Sequence, residues 1–414
     1  MRKSERWSGL PEIEKIHLPE KNMTLRVVLL AAAILLAAAC LVSGLTGLLN
    51  QDPGWREIEP QIKEMNYSQE FTLRYDLGGK GADATVENKM LTELYSRLME
   101  EAYLLFDPQA PADTERNLRY LSDHPNQTVQ LEHVLYEALQ KLLEAGSRYQ
   151  YLAPVYVEQS RIFRAETPEE AQQYDPAGDP ELRAYLQACA DFARDPAHID
   201  LELLPMNQVV LHVSPEYLRF VSDNEIEYLL DFGWLRNAFI VDWVASEMEA
   251  KGLVTGSITS SDGYSRNLDP REMDYAYNLF DREGLNINIP GALTYRGPMS
   301  FVFLRNYPLS EVDMGSYLVF PDGSSATHFV DPADGLSRSA EENLLVYSGE
   351  LGCADLALLL GPIYIAEELD RQALEQLPVF AIWGEDQTMV YTQKDAVFTE
   401  GQNRDLYTFR YLGE

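Results

Sequence analysis

Apolar positions along the chain follow two rhythms. In the first half they recur at helical spacing. Between Glu87 and Leu105 the residues Leu91, Leu94, Leu98 and Ala102 fall on one face. Leu131, Val134, Leu135, Ala138, Leu139 and Leu142 repeat the pattern up to Ala145, and Gly146 supplies a helix stop. Glu181 to Ala193 carries a third such stripe with Leu182, Tyr185, Leu186 and Cys189. The second half reads mainly as strands. Val209–Val213 and Tyr217–Phe220 form a pair split by Ser214-Pro215-Glu216; Phe301–Leu304, Leu344–Tyr347, Val379–Ile382 and Tyr407–Phe409 follow. Tyr317–Phe320 and Thr327–Val330 flank a Pro321-Asp322-Gly323 turn, a hairpin signal. Helices are expected at Ala238–Ala250, closed by Gly252, and from Ala354 to Leu360. Ala165–Pro180, rich in Glu, Pro and Ala, reads as a surface insert. The mixture predicts an α+β fold with mixed, largely antiparallel sheets and packed helices.

One segment fits neither rhythm. Val27 to Leu49 contains no charged residue and is long enough to span a bilayer as a helix. Arg2, Lys3, Arg6, Lys15, Lys21 and Arg26 precede it, which predicts a cytoplasmic tail and an outward-facing remainder. The expected organisation is a basic tail over 1–26, a transmembrane anchor over 27–49, a polar stalk over 50–69 and an extracytoplasmic domain over 70–414. Lipidation at Cys40, within Ala37-Ala38-Ala39-Cys40, and simple cleavage are the other two readings of the segment.

Charge narrows the partners. With 66 acidic residues against 33 basic, the net charge of −33 excludes a nucleic-acid ligand, whose phosphates would be repelled. Three cysteines make no disulfide framework, and no Cys/His spacing of a zinc site occurs. Cys189, on its apolar stripe, reads as a buried free thiol.

Three short segments carry candidate chemistry. The first runs from Asp231 to Asp242 through Gly233, Trp234, Leu235, Arg236 and Asn237, a turn into a helix where α/β proteins often hold phosphates. The second is His328-Phe329-Val330-Asp331-Pro332-Ala333-Asp334-Gly335, a strand running into a turn, and the third is Cys353-Ala354-Asp355-Leu356-Ala357-Leu358-Leu359. In order and rough spacing they resemble the FAD:protein FMN transferases, the ApbE family, whose corresponding stretches read D-L-G-G-I-A-K-G-Y-A-V-D, H-I-I-D-P-x-T-G and A-D-A-L-A-T. Asp113 to Leu118 faintly echoes a further family stretch, S-E-L-S-R-L-N. The resemblance implies an exported, often membrane- or lipid-anchored protein. Such a protein binds FAD and magnesium and transfers FMN to a Thr or Ser of an acceptor protein. It implies His328 as the catalytic residue beside the flavin phosphate. Asp231, Gly233, Trp234, Arg236, Asp331 and Gly335 would lie around the nucleotide, and Asp355 would bind the metal.

The sequence departs from that pattern at the phosphate-facing positions. Trp234 stands where the family has a second glycine, and Arg236, Asn237 and Ala238 stand where it has Ala, Lys and Gly. Leu359 replaces a metal-ligating Thr and Asp334 replaces another Thr. Glycines let backbone N–H groups approach a phosphate, and a hard cation needs oxygen ligands that Leu lacks. Because phosphoryl-type transfer depends on metal and cationic stabilisation, catalysis is expected to be impaired or absent. The alternative to a transferase is a non-catalytic relative that binds a protein partner or a flavin nucleotide. At single residues the structural alternatives are a satisfied structural His328, an N-capping Asp355, a turn-forming Asp331, a core Trp234 and an exposed, idle Arg236.

Overall fold

Nine strands pair into a central sheet whose spatial order is the order of the chain: β1 (Gly54–Ile58), β2 (Phe71–Leu77), β3 (Gly256–Ser260), β4 (Tyr264–Asn267), β5 (Met299–Arg305), β6 (Asn343–Ser348), β7 (Phe380–Glu385), β8 (Thr388–Tyr391) and β9 (Thr408–Tyr411). Every neighbouring pair is antiparallel except β8 with β9. The computed structural model describes residues 28–29, 32–33, 53–62, 70–79, 81–112, 116–284, 286–320 and 322–413. Almost all of the expected membrane segment, Cys40, and part of the Asp113–Leu118 echo therefore lie outside the described residues. Among the described residues no helix is long and apolar enough to cross a membrane. These residues divide into two units. The smaller holds the described residues before Gly54 and the segment Gly79–Val86, with a helix starting at Ala82. The larger, Gly54–Gly78 and Glu87 onward, carries everything below.

Strand alternation sends side chains to two separate cores. In β5, Val302 and Leu304 join the main core while Phe301 and Phe303 join a second one; in β6, Leu344 and Val346 divide likewise from Leu345 and Tyr347. Such strands are buried on both faces, which is why they read as near-continuous apolar runs. On the main-core side lie helices, α1 (Ala82–Phe106) from Glu87 on, α2 (His133–Glu144), α3 (Ala153–Arg164), α4 (Pro180–Arg194), α5 (Pro215–Asp223), α6 (Arg236–Ala250) and α7 (Cys353–Tyr364). Of these, α6 packs on β3 and β4, and α7 on β5 and β6. A three-stranded sheet, Tyr275–Asn278, Gly291–Tyr295 and Val397–Glu400, contributes Leu293, Tyr277, Tyr295 and Phe398 to the second core.

The structure corrects several readings of the sequence. Tyr217–Phe220 is not a strand but part of α5; Ser214 accepts from the Tyr217 N–H at 3.1 Å and Pro215 takes the first helical position, so the supposed turn is a helix start. The second strand of the hairpin ends at Thr327, which leaves His328 beyond the strand. The segment 165–180 is more than a surface insert. It folds a helical turn, Pro168–Ala171, whose Ala171 is buried with Ile162, Phe320 and Ala326. A further correction concerns the cap of α7 and is given with the site. Cys189 is a buried free thiol, as its stripe predicts, and burial pushes it up to about 12.

Candidate functional site

Asp231 begins the turn that launches α6. Its Oδ1 accepts the Gly233 N–H at 2.8 Å, and a 3-10 turn over Gly233–Leu235 feeds straight into the helix. Gly233 sits at φ +54°, and a β-carbon there would lie 2.2 Å from Cζ of Tyr156 on α3. The glycine is demanded by an inward-packed tyrosine ring. Trp234 is 1% exposed and meets Tyr149 and Phe329 edge-on at 5.3 and 5.5 Å. Its accommodation is reciprocal: on α7 a β-carbon at Gly361 would lie 3.1 Å from the indole. Of the two readings of Trp234, the core plug is the one this packing supports.

The first turn of α6 faces carboxylates. Arg236, half-buried, donates to Glu70 at 2.8 Å and to Asn237 Oδ1 at 3.2 Å, so it is neither exposed nor idle. Asn237 donates to Glu70 at 3.1 Å and to Asp262 at 3.0 Å, and the Ser260 hydroxyl also donates to Asp262. Burial pushes both Asp231 and Asp262 up to about 6. The positive end of the helix dipole is thus satisfied by the protein's own carboxylates. His328 borders the same space. Burial, with help from Arg305 and Arg236, pushes it down to about 3, which favours the neutral imidazole.

These groups enclose a cavity of about 200 Å³ lined by Glu70, Tyr156, Asp231, Arg236, Asp262 and His328 among others. Tyr156 Oη, Trp234 Nε1 and His328 Nε2 are buried without a hydrogen-bond partner. The cavity thus unites His328 with Asp231, Gly233, Trp234 and Arg236 but excludes Asp331, Gly335 and Asp355. Asp331 shapes its turn, accepting from the Ala333 N–H at 2.8 Å and pairing with Arg338 at 2.8 Å. Asp334 pairs with the same Arg338 at 2.7 Å. Gly335, at φ +76°, approaches α4 so closely that a β-carbon would lie 2.9 Å from the Leu186 carbonyl.

Asp355 does not cap α7. The residue capping α7 is Asp242, whose carboxylate accepts the Cys353 and Ala354 N–H groups at 2.9 and 2.8 Å. Asp355 sits in the first turn, pairing with Lys141 of α2 at 2.9 Å, while Leu359 is half-exposed one turn on. Among the described residues no group of three or more His, Cys, Asp or Glu side chains is arranged to hold a metal. Sequence reasoning missed Glu70, Tyr156, Asp262 and Lys141. Asp262, in Ser261-Asp262-Gly263, looks like any turn, and the others carry no local signal.

Comparison with known proteins places the fold. No family model matches the sequence, and no curated protein does. Solved structures do. The ApbE protein of Thermotoga maritima superposes with a TM-score of 0.52 at 11% identity, over 85% of this chain and 99% of that one. The flavin transferase ApbE of Vibrio cholerae gives 0.48 at 12%, over 86% and 100%. The apo flavinyl transferase ApbE of Pseudomonas stutzeri gives 0.46 at 11%, over 86% and 97%. The chain has a divergent ApbE-like fold, an α+β architecture of antiparallel sheets and packed helices. Its residues fit neither group that the resemblance implies. A nucleotide phosphate at the start of α6 would meet Asp231, Asp262 and Glu70 with Arg236 already engaged. A divalent cation at Asp355 would have to displace an ammonium and would find a leucine where a hydroxyl is needed.

Proposed function

We propose that this protein uses the ApbE-like fold without magnesium-dependent FMN transfer, and keeps the cavity at the start of α6 as a binding site. The observation that carries the reading is the filled and acidic phosphate position: the Tyr156 ring against Gly233, buried Trp234, and Glu70 and Asp262 around Arg236 and Asn237. The Lys141–Asp355 pair supports it at the metal position. The same carboxylates disfavour a flavin nucleotide as ligand, because like charges brought together in a poorly solvated site repel strongly. The cavity of about 200 Å³ is also smaller than the roughly 300–1,000 Å³ of most small-molecule sites. For location, the basic tail and the uncharged stretch 27–49 support an anchored domain facing outward.

The test is to incubate the full chain with FAD, magnesium and a threonine-bearing acceptor protein, then run a denaturing gel. The expected result is no flavin fluorescence on either protein. A covalently fluorescent acceptor would overturn the proposal and restore the transferase reading.

A further inference from the structure

We infer that a second cavity, bordered by the segment 165–180, binds a small amphiphile with an apolar body and one terminal carboxylate. The inference goes beyond the loss of transfer and does not depend on it. The cavity measures about 440 Å³, against about 200 Å³ at the start of α6, and falls within the roughly 300–1,000 Å³ of most small-molecule sites. Its apolar lining comes from three elements: Val155 and Ile162 of α3, Leu182 and Leu186 of α4, and Phe320 of the hairpin. Leu182 is half-buried, as is Leu336 nearby in the lining, so hydrocarbon is within reach of a guest. Removing a guest's apolar body from water supplies the driving force.

The segment 165–180 completes this space. Tyr174, Asp175, Pro176 and Ala177 line the cavity. Ala171 anchors them, buried with Ile162, Phe320 and Ala326 in a small core separate from the other two. Both ends of the segment are fixed: Thr167 accepts the Glu170 N–H at 3.2 Å, and Asp179 accepts the Glu181 N–H at 2.9 Å. Charge then selects the guest. Of the charged side chains in the lining, Glu158 pairs with Arg161 at 2.9 Å. Asp175 and Asp322 each turn an oxygen to an N–H of their own loop, at 2.9 and 3.0 Å, and Asp322 is exposed, where water and salt screen its charge. Arg183 is exposed and pairs with no carboxylate among the described residues. Asp334, which feels Arg183 from a distance, is already held by Arg338 at 2.7 Å. A guanidinium without an ion pair beside an apolar cavity suits a carboxylate, which it can hold through two parallel N–H donors.

Decanoate carrying a diazirine is the probe. Photolysis with the full chain at pH 7.5, followed by peptide mapping, should label α3 between Val155 and Ile162 and the hairpin between Phe320 and Ala326. Plain decanoate should displace the label, decanol more weakly, and decylamine and FMN not at all. Arg183→Gln should weaken displacement by decanoate about fivefold, the scale of one exposed ion pair, and leave decanol unchanged. Ser325→Trp, which puts an indole into the cavity, should abolish labelling of both segments with a normal thermal transition; Leu182→Trp serves if that variant fails to fold. Labelling confined to other segments would overturn the inference. So would displacement by decylamine equal to that by decanoate, or decanoate affinity indifferent to Arg183. FMN displacing the label as well as decanoate does would overturn it as a nucleotide site. A chain that labels an acceptor with flavin would instead refute the loss of transfer, so the two failures read out separately.

Discussion

Two helix N-termini contrast in this fold, those of α6 and α7, and both are places where a phosphate-binding protein presents N–H groups to an anion. At α7 the end is closed. Asp242 takes the first N–H groups, Arg266 lies 3.5 Å from the same carboxylate, and Asp355 is neutralised by Lys141. At α6 the end is ringed by carboxylates but not closed. No side chain caps the helix itself, a cavity remains, and buried polar atoms stand unpaired around it. Under the proposed function, the difference separates a structural solution from a retained site. Where function imposes nothing, the chain satisfies a helix end with one well-placed carboxylate. Where it keeps strained electrostatics, it accepts a cost that a folded core has no reason to carry.

The comparison can be broken most forcefully at the plug. Trp234→Ala should cost about 4 kcal/mol, the usual scale for truncating a fully buried aromatic, measured by urea unfolding. It should not create FAD binding, because Asp231 and Asp262 remain. A thermal shift from FAD in this variant would mean that the indole alone, and not the charge, excludes the nucleotide. Next comes the closed end. Asp242→Ala should cost about 3 kcal/mol, since it strips two N–H groups of their acceptor and leaves the half-buried Arg266 without this partner. A loss under about 1 kcal/mol would show that water replaces the carboxylate at this helix end.

Much of the scaffold was legible in the sequence because its physics is local. The stripe from Leu131 to Leu142 becomes α2, Gly146 ends it at φ +65°, and the apolar runs at Phe301 and Leu344 become β5 and β6. The failures are also local in origin. Tyr217–Phe220 was read for its aromatic content, and the stronger signal, Ser-Pro at a helix start, was read as a turn. At the site, the order of the three motifs pointed to the fold. What the sequence could not display was who fills the space. Tyr156 reaches Gly233 from 77 positions upstream (233 − 156), and Glu70 reaches Arg236 across 166. Asp355 illustrates the same limit: its own motif suggests cap or ligand, but the cap is Asp242, 111 residues away from Cys353, and its counter-ion comes from α2.

The open end is best sharpened by removing one of its charges. The folded carboxyl of Asp262 lies near 6 against 3.8 for an unperturbed one. The folded state therefore holds its proton over a range where the unfolded chain releases it. The stability this provides is full below 3.8 and is lost as pH rises through about 6. Asp262→Asn has no such loss, so it should unfold about 2 kcal/mol later than the parent at pH 7.5 and at the same point near pH 4. A variant that is less stable at pH 7.5 would mean that Asp262 serves the fold through its bonds to Ser260 and Asn237, and the contrast between the two helix ends would weaken.

The smallest effect belongs to the Lys141–Asp355 pair, at the position where the resemblance expects a metal. Lys141 and Asp355 are each more than a third exposed, so Lys141→Met should change stability by less than about 1 kcal/mol. Its value lies in the magnesium response. In the parent chain neither magnesium nor EDTA should move the thermal transition. With the ammonium removed, Asp355 is released, yet Leu359 still offers no oxygen, so the single variant should remain unresponsive to millimolar magnesium. Adding Leu359→Thr restores the missing hydroxyl one turn along α7. If the ammonium and the leucine are together what closes the site, only the double variant should gain a magnesium-dependent rise, of about 1 kcal/mol when the ion is at several times its dissociation constant. A response already present in the parent would reverse the assignment: Lys141 would then be displaced by the ion rather than standing in its place, and the α7 end would be a working metal site.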